Sequence, residues 1–105
     1  MAKRRRATER PANPFDPLDG PVAQTLDLHG AGVADARTSV KRFIESAARH
    51  SPGALVHVIT GKGRGSQGGP VLKPVVRQLL AGELGRLTRD WAADPDGGGF
   101  LVRLR

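Results

Sequence analysis

Three short segments carry residue types that could work on a phosphate. Leu26-Asp27-Leu28-His29-Gly30 offers a carboxylate and an imidazole two residues apart. Val58-Ile59-Thr60-Gly61-Lys62-Gly63 offers an ammonium between glycines, and Gly97-Gly98-Gly99 precedes Leu101-Val102-Arg103-Leu104. Each segment joins an apolar, strand-like stretch to a glycine turn. Small α/β sheets bind ligands beyond their strand ends, so a carboxylate, an imidazole and an ammonium gathered there point to phosphate chemistry. Asp27 is the candidate for catalysis, either directing a divalent metal ion toward a scissile phosphate or acting as a base on water or a ribose hydroxyl. His29 is its natural partner, since an unperturbed imidazole titrates near neutrality, and Lys62 could stabilise charge that builds up in the transition state. The alternative is structural: Asp27 and His29 hydrogen-bond the glycine turns and hold the sheet ends together.

The segment Gly61-Lys62-Gly63-Arg64-Gly65-Ser66-Gln67-Gly68-Gly69 leads into a helix. Its small residues permit close backbone approach, amide N–H groups can face an anion, and Lys62 and Arg64 add positive charge. Gly61, Lys62, Gly63 and Arg64 are therefore candidate phosphate-binding residues. A triphosphate-binding P-loop would need its lysine at the end of the glycine run, immediately before Ser or Thr, and here the lysine comes first, which argues against ATP.

The elements that must position these groups follow from periodicity. Leu26 and Leu28 alternate with Asp27 and His29 in a short strand, which puts the two polar residues on one side. Val33, Ala36, Val40, Phe43, Ile44, Ala47 and Ala48 recur at three- and four-residue intervals, predicting an amphipathic helix of about five turns that ends before Ser51-Pro52-Gly53. Arg37 and Lys41 lie off its apolar stripe, one turn apart, as a candidate basic ridge. Leu55 to Thr60 is a near-continuous β-branched run, the pattern of a central strand covered on both faces. Val71, Leu72, Val75, Val76, Leu79 and Leu80 predict a second helix starting near Gly69 to Lys73, with Pro74 tolerated in or near its first turn. Leu87–Ala93 and Phe100–Leu104 read as two further strands around a turn at Asp94-Pro95-Asp96-Gly97, with Trp91 in or beside the core. The order βαβαββ, with right-handed crossovers, predicts an α/β two-layer sandwich in which two helices cover a mixed four-stranded sheet. His50, at a helix C-terminus, and His57, inside the central strand, are read as structural.

At 105 residues and 38% hydrophobic content the chain supports one compact domain. No apolar run is long enough to span a bilayer and no secretory signal is present, so the expectation is a soluble, cytoplasmic protein. With no cysteine, disulfides, thiol nucleophiles and cysteine-ligated zinc are excluded. Three dispersed histidines specify no tight zinc site. No cofactor is expected to be tightly bound, and Mg²⁺ or Mn²⁺ would arrive with substrate phosphates. The net charge of +7 favours anionic partners, and residues 25–105 hold twelve basic against seven acidic groups, so most of the excess lies outside the N-terminal tail. That tail, residues 1–23, carries Lys3-Arg4-Arg5-Arg6 and then Pro11, Pro14, Pro17 and Pro21. Proline at this spacing prevents regular helix and predicts a flexible extension, one that could add phosphate contacts or lie over a sheet edge through Phe15 and Leu18. The folded unit is expected over 24–105.

With its Leu-Asp-Leu-His-Gly start, Thr-Gly-Lys-Gly centre and glycine-rich finish before Val-x-Leu, the stretch from Gln24 to Arg105 resembles the Smr domain, the small MutS-related module. The resemblance implies the same two-layer architecture, similar to the C-terminal domain of bacterial translation initiation factor three. It also implies nucleic-acid partners, with DNA nicking or RNA cleavage as the activity and Asp27 and His29 at the positions implicated in it. One departure is plain: aligning Val102 and Leu104 with the family pattern puts Pro95 and Asp96 where two glycines are usual. The expected function is a nucleic-acid-binding endonuclease acting on RNA or structured DNA. The alternative is a non-catalytic module that binds RNA, DNA or the ribosome.

Overall fold

The computed structural model describes residues 16–61, 69–95 and 97–105. The chain runs through β1 (Gln24–Asp27), α1 (Val33–His50), β2 (Leu55–Ile59), α2 (Gly69–Ala81), a 3-10 turn (Gly85–Leu87), β3 (Thr88–Ala93) and β4 (Gly99–Leu104). The strands form one sheet in the order β1-β2-β4-β3. β1 and β2 are parallel, because α1 carries the chain back between them, whereas β2–β4 and β4–β3 are antiparallel. The mixed four-stranded sheet with two helices is the architecture that the periodicity predicts. Among the described residues no helix is long and apolar enough to cross a membrane.

Both helices lie on one face of the sheet. α1 buries Ala36, Val40, Ile44 and Ala47 at helical spacing, and α2 buries Leu72, Val75, Val76, Leu79 and Leu80. These meet Val56 and Val58 of β2 and Phe100, Val102 and Leu104 of β4 in a single core. Each of the Val, Leu, Ile and Phe side chains contributes about 1.5–3 kcal/mol on burial, and the two alanines less. Trp91 packs against the edge of this core, its ring 6.0 Å from Phe100 in an edge-on arrangement. Pro74 is the sixth residue of α2 and stands inside the helix, just past the first turn where a missing N–H costs nothing.

Strand register sorts the other residues onto the opposite face. Asp27 is beside Ile59, which is opposite Gly99. Thr25 is beside His57, opposite Leu101, and Leu55 is opposite Arg103. This face is covered at one end by the chain before β1. The Arg103 guanidinium donates hydrogen bonds to three backbone carbonyls, from Nε to Pro17 at 2.7 Å, from Nη1 to Gly53 at 2.9 Å and from Nη2 to Asp19 at 3.0 Å. Five fixed donors suit arginine to such a cluster of acceptors. Part of the N-terminal extension is thereby tied to the end of the sheet remote from Asp27. Phe15 and the Lys3-Arg4-Arg5-Arg6 cluster lie outside the described residues.

The tightest backbone approach is at Gly99. A methyl group there would lie within van der Waals exclusion of the Val58 carbonyl and 2.9 Å from Ile59 Cα. Gly99→Ala should therefore destabilise the fold by about 3 kcal/mol, the upper range for overpacking. Gly32→Ala, where nothing lies within 4 Å, should cost less, about 1 kcal/mol at most, because alanine is only a poor helix N-cap there. Urea denaturation of both variants measures the difference, and equal midpoints would show that β4 does not run this close to β2.

Candidate functional site

β1 ends at Asp27, and its pairing continues one residue further, with the Leu28 amide donating to the Ile59 carbonyl at 2.7 Å. Leu28 is buried in the helix-side core, which anchors the chain just before it turns. The turn is closed by the Ala31 amide on the Leu28 carbonyl at 2.8 Å, with Gly30 at a φ of +84°. Asp27 Oδ1 accepts the His29 amide at 2.9 Å, the local bond by which aspartate commonly holds a turn. His29 is thus placed by this turn and not by strand alternation. Both side chains are exposed, and among the described residues Asp27 Oδ2 has no partner.

Beside it, β2 is followed by Thr60 and Gly61. Their two amides converge on the Gly98 carbonyl at 2.9 and 3.1 Å, and the buried Thr60 hydroxyl donates to the same oxygen at 3.4 Å. Gly61 has a φ of +91°, a conformation that a residue with a Cβ rarely adopts. The β3–β4 turn is therefore fastened to the start of the glycine-rich segment. Three strand ends and the beginnings of both helices come to one end of the sheet. The first turn of α1, after Gly32, has no side-chain cap, so its leading N–H groups face outward with a partial positive charge. Gly61 is at this end as the sequence predicts. Lys62, Gly63 and Arg64 lie outside the described residues.

The structure places Arg37 exposed on the second turn of α1, and one turn on it pairs Lys41 Nζ with Glu83 Oε2 at 3.0 Å. This pair is solvent-accessible and worth little energetically, yet it occupies the Lys41 ammonium. Lys73 was not singled out from the sequence. A methyl group on Gly97 would come 3.9 Å from its Nζ, so Lys73 stands at the β3–β4 turn. Only the register of the sheet against α2 reveals it.

A second feature hidden from the sequence is a buried His–Asp contact. His57 Nε2 lies 2.6 Å from Asp94 Oδ2, with the two side chains 10% and 15% exposed. His57 is on β2 and Asp94 follows β3, so the contact spans β4 on the face opposite the helices. Asp94 immediately precedes Pro95 and Asp96, and its amide donates to the Gly99 carbonyl at 2.7 Å. The pair thus braces the turn whose glycine pattern departs from the usual one. Sequence alone read His57 as structural without a partner, because 37 residues separate it from Asp94.

Among the described residues no three His, Cys, Asp or Glu side chains lie close enough to hold a metal ion. Asp27 supplies one carboxylate oxygen, so a divalent ion there would draw its other ligands from water and substrate phosphate. Chemically, the strand-end site combines an exposed carboxylate, an adjacent imidazole, outward backbone N–H groups and nearby basic side chains. This set can bind a phosphodiester and move a proton beside it.

A family model described as "Smr domain" matches residues 26–102. Comparison with curated proteins gave no match.

Removing one member of the buried pair should destabilise the fold by about 1–3 kcal/mol, the range for a buried polar group deprived of a partner. In a double-mutant cycle with His57→Leu and Asp94→Ala, the two changes should couple by about 1 kcal/mol or more. Additive losses in chemical denaturation would show that the two side chains do not interact.

Proposed function

Because the chain belongs to the Smr domain family, whose function is related to nucleic acid, we propose that it is a nucleic-acid-binding endonuclease that cleaves or nicks RNA or structured DNA. The observation that carries this reading is Asp27: an exposed carboxylate, fixed through Oδ1 by the His29 amide, with Oδ2 left toward solvent at the strand ends. A carboxylate held this way by its own turn is oriented before substrate arrives, and such preorganisation is what positions a base or a metal ligand for reaction.

In this reading the phosphodiester backbone lies across the strand ends. Outward N–H groups at the uncapped start of α1 take phosphate oxygens, together with Arg37 and the cationic Lys62 and Arg64 of the glycine-rich segment, while Gly61, its amide held by the Gly98 carbonyl, lets the backbone approach closely. Lys41 joins them when it exchanges Glu83 for phosphate. Asp27 Oδ2 accepts the proton of the attacking water or ribose hydroxyl as its oxygen bonds to phosphorus. His29 delivers a proton to the sugar oxygen that leaves. Mg²⁺ or Mn²⁺ bound with the substrate would neutralise phosphate charge at Asp27; no tightly bound cofactor is part of this proposal. The basic composition supports the choice of partner, and one Trp and three Phe fit recognition by shape and phosphate better than extensive base stacking.

Two outcomes test this. Asp27→Ala should lower cleavage of structured RNA or supercoiled plasmid by about 10²–10⁴, the usual contribution of a general base, with affinity within about twofold of wild type, below half a kcal/mol. Binding without cleavage under any metal condition would leave only the non-catalytic module. Affinity should also fall steeply with salt, by roughly 0.7–0.9 in log–log slope per phosphate contacted, and salt-independent binding would contradict a phosphate-reading site.

A further inference from the structure

The α2 helix carries a feature that the strand-end site does not use. Its sequence, GPVLKPVVRQLLA, contains no acidic residue and two cations, Lys73 and Arg77, one turn apart. Among the described residues neither is paired with a carboxylate. Lys73 stands at the Gly97 turn, at the edge of the strand-end site. Arg77 lies one turn further on, its guanidinium carbon 5.7 Å from the centroid of the Phe100 ring, against which Trp91 packs edge-on. An arginine over an aromatic face is held in place at low entropic cost and keeps its outer N–H groups available. Between and beside the two cations, Pro74, Val75, Gln78 and Ala81 line a shallow depression. Its floor is apolar, and the Gln78 amide offers both a donor and an acceptor at its rim.

Two cations one helical turn apart, an apolar floor and an amide beside it match one chemical unit, a nucleotide whose base is not paired. A duplex would present its bases edge-on inside a groove and could not lay one flat on this surface. We propose that the α2 strip holds an unpaired segment of the nucleic acid adjacent to the scissile phosphate, with successive backbone phosphates on Lys73 and Arg77 and one base over Pro74 and Ala81 against Gln78. This rests on the endonuclease reading only in that the partner is nucleic acid; it concerns binding and needs no cleavage. It gives the site a preference for single-stranded regions or for junctions with an unpaired flank, and it sets the direction in which the strand leaves the strand ends, along α2 toward Arg77.

The test is fluorescence anisotropy of the full chain with a short labelled single-stranded RNA and with the matching duplex, for wild type, Lys73→Gln, Arg77→Gln and Gln78→Ala. Lys73→Gln and Arg77→Gln should each weaken single-strand binding about five- to tenfold and reduce the salt slope by about 0.7, while duplex affinity changes less than twofold. Gln78→Ala should reduce discrimination among homopolymers and leave the salt slope unchanged. Among the described residues Lys73 makes no aromatic contact, so its variant reports on binding even if Arg77→Gln loosens the packing on Phe100. Wild-type binding that neither cation variant alters overturns the strip alone. Equal losses for single strand and duplex overturn the unpaired-nucleotide assignment. Absence of any wild-type binding overturns both this strip and the nucleic-acid reading beneath it.

Discussion

The close passage of β4 beside the end of β2 is the constraint on which the rest of the arrangement depends. Gly99 has no room for a Cβ against the Val58 carbonyl, and the preceding Gly98 carbonyl takes the Thr60 and Gly61 amides together. Two glycines in sequence thus do different work, one permitting backbone approach and the other serving as a common acceptor. If β4 stood further off, the β3–β4 turn would detach from Gly61, Asp94 would move away from His57, and Lys73 would no longer meet the turn. The strand ends converge because backbone meets backbone, and the side chains inherit that geometry.

The two faces of the sheet divide the labour. The helix-side face holds nearly all of the apolar core and fixes where α1 and α2 begin. The opposite face carries polar groups tied by specific contacts: Arg103 gathers three carbonyls at one end, and the His57–Asp94 pair braces the other. Asp27 is on this same face, in register with Ile59 and Gly99. Its carboxylate is exposed because β1 is an edge strand that ends there. Among the described residues, Arg37 on α1 and Lys73 on α2 bring basic groups from the helix side, so an anion at the strand ends would be approached from both layers.

Much of this was legible in the sequence, and what was not has a common cause. The three-and-four spacing from Val33 to Ala47 and the β-branched run from Leu55 are local signals, and α1 and β2 follow from them almost residue for residue. The position of Asp27 at the end of β1 was legible because it stands between two leucines shortly before a glycine turn. The turn bond from His29 was not, since alternation continues the strand by two residues that the structure uses for the turn. The His57–Asp94 pair, the Arg103 clamp and the Lys41–Glu83 pair each join residues far apart in sequence. They depend on helix packing and on strand register, which for β3 and β4 includes an irregularity between Thr88 and Asp90 that no local pattern announces. Lys73 was hidden for the same reason, as one of several cations on a helix whose facing partner only the tertiary packing reveals.

Asp27 has two possible roles, holding its turn and carrying charge to a phosphate, and one substitution separates them. Asp27→Asn retains a side-chain oxygen that can accept the His29 amide, so the turn is preserved while the negative charge is lost. The decisive measurement is cleavage of structured RNA and supercoiled plasmid by this variant beside its thermal stability and its affinity. A catalytic carboxylate predicts unchanged stability and affinity with cleavage reduced by about 10² or more. Cleavage at the wild-type rate would mean that Asp27 only shapes the turn, and that the chemistry, if any, belongs to other residues.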